Sequence, residues 1–180
     1  MSPSLAAETT APNSAAANYR TDCGIFRLAS ERLLMRYFED IAIGDEETFG
    51  RWTVTRDEIV SFARKWDPQR FHVDPEAAKK SVHGGLIASG FHTVAVAMRL
   101  WVDEYLDDVA NMGARYLSEL AWHEPVRPGD TLAVSGEVLD ETIPEHTDGH
   151  GYLDYELTAR VDDQAVMTMV TDLVVQRRGD

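Results

Sequence analysis

Asp67 and His72 stand five positions apart in the run Asp67-Pro68-Gln69-Arg70-Phe71-His72. One supplies an acceptor, the other a group able to hold or release a proton near neutral pH. Two such side chains converging on one water meet the requirement for general acid–base work on a neutral molecule. Downstream, Gly84 and Gly85 open the segment Leu86-Ile87-Ala88-Ser89-Gly90. A helix starting at Gly85 would offer unpaired first-turn N–H groups, at the positive end of the helix dipole, to a developing oxyanion. The simpler reading of such a pair makes Asp67 and Asp74 helix and turn caps and His72 a satisfied loop histidine.

The surrounding pattern shows which elements must carry these residues. Alternation around Phe49, Trp52 and Val54 points to a strand from Glu46 to Thr55. Thr55 with Glu58 makes a capping box, and Ile59, Phe62, Ala63 and Trp66 then fall on one helical face. Pro68 pushes Asp67 out of helical conformation and places it at the helix end. Residues 67–81 read as loop, with a short helical turn at Asp74-Pro75. Residues 85–106 read as one central helix, apolar on nearly every side and so surrounded by protein. Four segments rich in β-branched and aromatic residues follow at 113–123, 131–142, 152–161 and 165–176, separated by turn signals. One early strand, a buried helix and four strands in succession describe an α+β domain with an antiparallel sheet packed on one long helix.

Composition narrows the function classes. The chain has 180 residues, 17 basic against 31 acidic side chains and a net charge of −14. With 44% hydrophobic and 27% charged residues it has the make-up of a globular protein able to bury a core. That acidic balance argues against nucleic acid as a partner. No stretch of about 18 uncharged apolar residues exists, so no membrane-spanning helix is offered. Cys23 is the only cysteine, which excludes an intrachain disulfide and fits a reducing, cytoplasmic compartment. Residues 1–34 form a leader of different character, Ala-, Ser-, Thr- and Pro-rich over 1–18, read as disordered or non-native; the working domain begins at Met35.

Taken in order, Asp67-Pro68-Gln69-Arg70-Phe71-His72, Asp74-Pro75-Glu76-Ala77-Ala78, Gly84-Gly85-Leu86-Ile87-Ala88-Ser89-Gly90 and Val126-Arg127-Pro128-Gly129-Asp130 resemble the MaoC-like dehydratase family. These are hot-dog-fold hydratases that include (R)-specific enoyl-CoA hydratase. The resemblance covers about residues 36–177. It implies a sheet wrapped around the helix of residues 85–106, a homodimer or higher homo-oligomer, and reversible hydration of trans-2-enoyl-CoA to the (R)-3-hydroxyacyl-CoA. It places Asp67 and His72 on the catalytic aspartate and histidine, and Gly84 on the glycine whose N–H faces the thioester oxygen, with Gly85 beside it. No metal or redox cofactor is implied, and coenzyme A arrives as part of the substrate. Trp66, Gln69, Arg70 and His123 depart from the family pattern, which bears on loop shape and substrate size.

Other candidates carry less chemistry. His146 and His150 flank the turn Thr147-Asp148-Gly149 and read as a solvated hairpin tip. Ser89 and His92 lie at helical spacing and could line a site, but Ser89 lacks a nucleophile-elbow motif and packing is the better reading. Half of the basic residues after the leader lie between Arg51 and Lys80, so Arg64, Lys65, Arg70, Lys79 and Lys80 could meet the phosphates of coenzyme A. A thioesterase on the same fold would need an acid on the central helix, and residues 86–102 contain none. A non-catalytic acyl-thioester-binding subunit is the remaining alternative.

Overall fold

The computed structural model describes residues 35–146 and 149–179. The expectation for the 1–34 leader therefore lies outside the described residues, as do Thr147 and Asp148 of the hairpin tip. Five strands form a single antiparallel sheet: β1 (Glu46–Thr53), β2 (Asn111–Trp122), β3 (Thr131–Thr142), β4 (His150–Val161) and β5 (Gln164–Gln176), in the order β1-β3-β4-β5-β2. The helices are α1 (Arg56–Trp66), the single turns α2 (Arg70–Val73) and α3 (Pro75–Lys79), and α4 (Gly90–Glu104).

Each strand's alternation decides which face meets α4. Leu132, Val134 and Val138 of β3, Leu153, Tyr155 and Leu157 of β4, and Met167, Met169, Leu173 and Val175 of β5 are buried. The intervening residues of β3 and β4 are mostly part-exposed, the period-two pattern of a sheet with one covered face. Helix α4 packs across β1, β3, β4 and β5, burying Val96, Ala97, Leu100 and Trp101. Trp101 stacks on Tyr155 with ring centroids 5.0 Å apart, and Tyr105 closes the cluster at 5.3 Å from Tyr155. Fully burying an aliphatic side chain such as Leu132 or Leu153 contributes roughly 1.5–3 kcal/mol.

Two expectations for the central helix need correction. It begins at Gly90, five residues after Gly85, because Leu86–Ser89 are held extended: the Ile87 N–H donates to the Phe71 carbonyl and the Ala88 N–H to the Val126 carbonyl. Nor is it enclosed on every side, since Phe91, Ala95 and Arg99 form an exposed stripe at four-residue spacing. Elsewhere pattern and structure agree. Thr55 and Glu58 make the capping box reciprocally, and Asp67 is the C-cap of α1. The loop expected over 67–81 contains the turn foreseen at Asp74-Pro75 and, before it, the extra turn α2, so His72 sits on a helical turn.

Strand β2 stands apart from the other four. It lies at one sheet edge, its pairing with β5 slips at three places, and Glu119 within it adopts a positive φ of 51°. Almost all its residues are exposed, Met112, Tyr116, Leu117 and Trp122 among them.

Candidate active site

The end of α1, the turn α2 and the start of α4 converge on one carboxylate. Pro68 ends α1 so that Asp67, with its N–H still on the Ala63 carbonyl at 2.8 Å, takes a non-helical conformation. Its Oδ2 accepts from the Ser89 hydroxyl at 2.7 Å and its Oδ1 from the Gln69 side-chain amide at 2.9 Å. Burial by itself would raise the Asp67 carboxyl. The hydrogen bonds from Ser89 and Gln69, with His72 nearby, outweigh that and hold it below the usual carboxylate range. The carboxylate is therefore ionised at neutral pH although, among the described residues, no lysine or arginine pairs with it.

His72 is 4% exposed, and its Nδ1 lies 2.9 Å from the Ile87 carbonyl oxygen. A carbonyl can only accept, so Nδ1 carries the proton and the ring orientation is set. Nε2 then faces Asp67 Oδ2 at 3.4 Å. In the neutral ring this nitrogen is a free acceptor, so two acceptors stand side by side where one water can donate to both. After taking a proton from that water, the imidazolium would be paired with the carboxylate.

Ser89 is fully buried at the N-cap of α4, yet its hydroxyl makes no capping bond and serves Asp67 instead. The His92 and Thr93 N–H groups reach the Ser89 carbonyl at 2.9 and 3.2 Å. Among the described residues, the N–H groups of Gly90 and Phe91 make no hydrogen bond. Two donors at the positive end of a 15-residue helix are thus left beside the Asp67–His72 pair. Asp67, His72, Gly90 and Phe91 share one cleft of about 440 Å³. Phe71, His83, Ile87 and Ala88 line it as well, and Trp122 through Val126 complete its lining.

Asp67 and His72 are therefore brought together, whereas the two glycines lie elsewhere. Gly84 is exposed at φ +66°, its N–H bonded to the Ser81 carbonyl at 3.1 Å, and neither it nor Gly85 lines the cleft. The unpaired first-turn donors belong to Gly90 and Phe91, because the helix starts later than its apolar run. None of the five suggested cations lines the cleft either. Arg64 and Lys65 border a separate surface hollow on α1, Lys65 lies 4.7 Å over the Trp66 ring, and Lys79 pairs with Glu76. Arg70 and Lys80 are exposed.

Sequence reasoning weighed Ser89 and set it aside; the signal for it was an N-cap residue type directly before Gly90. Gly90, Phe91 and, at the end of β2, Trp122 were not proposed, and no local pattern marks Trp122. His92, which shared the suggestion made for Ser89, turns away to stack on Phe62 at 4.9 Å. Burial holds its pKa below the usual value against the pull of Glu58, so it stays neutral. His123 lines the cleft, with Nε2 2.9 Å from the Thr168 hydroxyl.

Comparison with known proteins places this geometry. The MaoC like domain matches residues 41–159, well over half of the chain. The chain is similar to Protein MaoC of Klebsiella aerogenes, 38% identical over 101 residues that make up 55% of this chain and 29% of that one. It is also similar to the (R)-specific enoyl-CoA hydratase of Rhodospirillum rubrum, 25% identical over 159 residues, 84% of this chain and 100% of that one. The first two curated relatives are matched over 62% and 29% of their lengths, less than two thirds of either. Among solved structures, the MaoC-like dehydratase from Rhodospirillum rubrum superposes with a TM-score of 0.75 at 37% identity, covering 81% of this chain and 99% of that one. With its five-stranded antiparallel sheet packed on one long helix, the chain has the hot-dog fold and belongs to the MaoC-like dehydratase family.

Proposed function

We propose that the protein is a hydro-lyase that reversibly hydrates a trans-2-enoyl-CoA to the (R)-3-hydroxyacyl-CoA. One observation carries this reading: Asp67 Oδ2 and His72 Nε2 stand 3.4 Å apart in a cleft shared with the unpaired N–H groups of Gly90 and Phe91. The two side chains hold one water, and one of them takes its proton as the oxygen bonds to C3. The C2=C3 pair moves toward the thioester oxygen, which Gly90 and Phe91 stabilise in place of Gly84, and the side chain that took the proton then returns it to C2. The sum is addition of H and OH across the double bond with the thioester intact. Nothing is oxidised or reduced and no hydride is transferred, so the proposed reaction requires neither metal nor redox cofactor. Exposed Arg70 and Lys80 would meet the nucleotide phosphates of coenzyme A outside the cleft.

The active unit proposed is a homodimer. Strand β2 leaves Met112, Tyr116 and Leu117 exposed beside Trp122 of the cleft wall, and a second copy covering that edge would complete the site.

Crotonyl-CoA should lose its enoyl absorbance without thiol appearing. Stoichiometric thiol release from a saturated acyl-CoA would replace the hydratase reading with a thioesterase. Binding across an acyl-CoA series with no change in either signal would point to a non-catalytic subunit.

A further inference from the structure

Gly90 is the one residue of the cleft whose missing side chain is filled by another part of the chain. A Cβ built there would lie 2.5 Å from both Cε2 and Nε1 of Trp122 and 3.0 Å from its Cδ1. Such separations are impossible for real atoms, so the indole rests directly against the Gly90 Cα, alongside the unpaired Gly90 N–H. Phe91 braces it edge-on, with ring centroids 5.5 Å apart at 73°. The neighbour on the other side, Ser89, holds Asp67. A carbonyl oxygen accepting from Gly90 therefore has an aromatic wall against one flank and the catalytic carboxylate near the other.

We infer that Trp122 is a specificity-determining residue that admits acyl thioesters unbranched at C2 and excludes those carrying a methyl there. The inference rests on the proposed acyl-thioester reading of the cleft. C2 is bonded to the carbonyl carbon, so with C3 turned toward Asp67 and His72 a substituent on the opposite side of C2 faces the indole. A planar, unbranched group slides along the ring and gains dispersion contact with it. An added methyl must displace the ring from its contacts with Gly90 and Phe91, and overpacking of this kind is unfavourable. The wall thus discriminates next to the reacting atoms, where chain length does not matter.

Calorimetric binding of butyryl-CoA and 2-methylbutyryl-CoA, which differ only by a methyl at C2, tests this without turnover. The unmodified protein should prefer butyryl-CoA by about tenfold, the usual worth of one methyl in a shaped apolar pocket. Trp122→Ala should bring the two affinities within about threefold of each other, and Trp122→Phe, which keeps a smaller ring, should fall between. Thermal melting of each variant shows that the comparison is made on folded protein. An equal preference in the unmodified protein, or the same ratio in all three proteins, would overturn the inference. If crotonyl-CoA is not hydrated while the ratio still collapses in Trp122→Ala, the hydratase reading fails and the selective wall stands. If neither thioester binds, both are rejected.

Discussion

Two aspartates in different parts of the fold are both held ionised, by different means. Asp172 on β5 is 2% exposed and takes two hydrogen bonds from the Arg115 guanidinium, at 2.8 and 2.5 Å, while that guanidinium lies 3.4 Å over the Tyr152 ring. The bond from Arg115 holds its carboxyl below the usual range, against burial and with help from Tyr116. Asp67 reaches the same charge state with a hydroxyl and an amide, both neutral, and with His72 Nε2 open beside it. A carboxylate answered by a guanidinium has its charge and its lone pairs occupied, so its role is structural. One held by neutral dipoles keeps an unneutralised charge facing a cleft, where it can orient water and receive a proton.

Replacing each carboxylate in turn should separate those roles. Asp67→Asn should lower kcat by roughly 10²–10⁴, the range for a positioned acid or base, while moving the melting temperature only slightly. Enoyl-CoA turnover beside a melting curve checks this, and near-normal turnover would remove Asp67 from the mechanism. Asp172→Asn should do the reverse, with turnover per folded molecule retained and stability lower by about 1–2 kcal/mol. That figure is modest because Arg115 is largely exposed and screened. Urea unfolding at neutral pH measures it.

Ser89→Ala is expected to lower kcat by up to about tenfold, the worth of one buried hydrogen bond, and to raise the pKa of Asp67. The acid limb of the pH–rate profile should then move to higher pH, an effect that a merely structural loss would not produce. The smallest effect concerns stability in acid. Both carboxyls have depressed folded-state pKa values, so each stabilises fully above its unfolded value of about 3.9 and loses that contribution as pH falls through the folded value. Urea midpoints measured at several pH values below about 4 should fall for the unmodified chain. They should fall less steeply for Asp172→Asn, and its slope should differ more from the unmodified chain than that of Asp67→Asn. Charge-assisted bonds being the stronger, an equal slope change in both variants would contradict the contrast drawn between them.

How far the site was legible follows from the range of the interactions involved. Asp67 at a helix end is local: Pro68 dictates it within one residue, and the capping box of Thr55 and Glu58 sets the other end of α1. The Asp67–His72 proximity needs only one turn of chain between them. The start of α4 was misplaced because the apolar run from Leu86 looks helical, whereas Ile87 and Ala88 are bonded to Phe71 and to the distant Val126. Such partners leave no trace in periodicity. Ser89 was discounted for lack of a nucleophile motif; its role is instead to donate to a carboxylate 22 residues away.

By itself the sequence determined the α+β plan, the order of strands, the capping of α1 and the closeness of Asp67 and His72 along the chain. All of these depend on alternation, turn chemistry and spacing, which act over a few residues. Tertiary structure alone decided which N–H groups remain unpaired, which tautomer His72 adopts, and that Trp122 fills the space over Gly90. Each of those depends on a group brought from elsewhere in the chain: the Ile87 carbonyl fixes the imidazole, Val126 holds the segment before α4 extended, and the end of β2 carries the indole to the helix start.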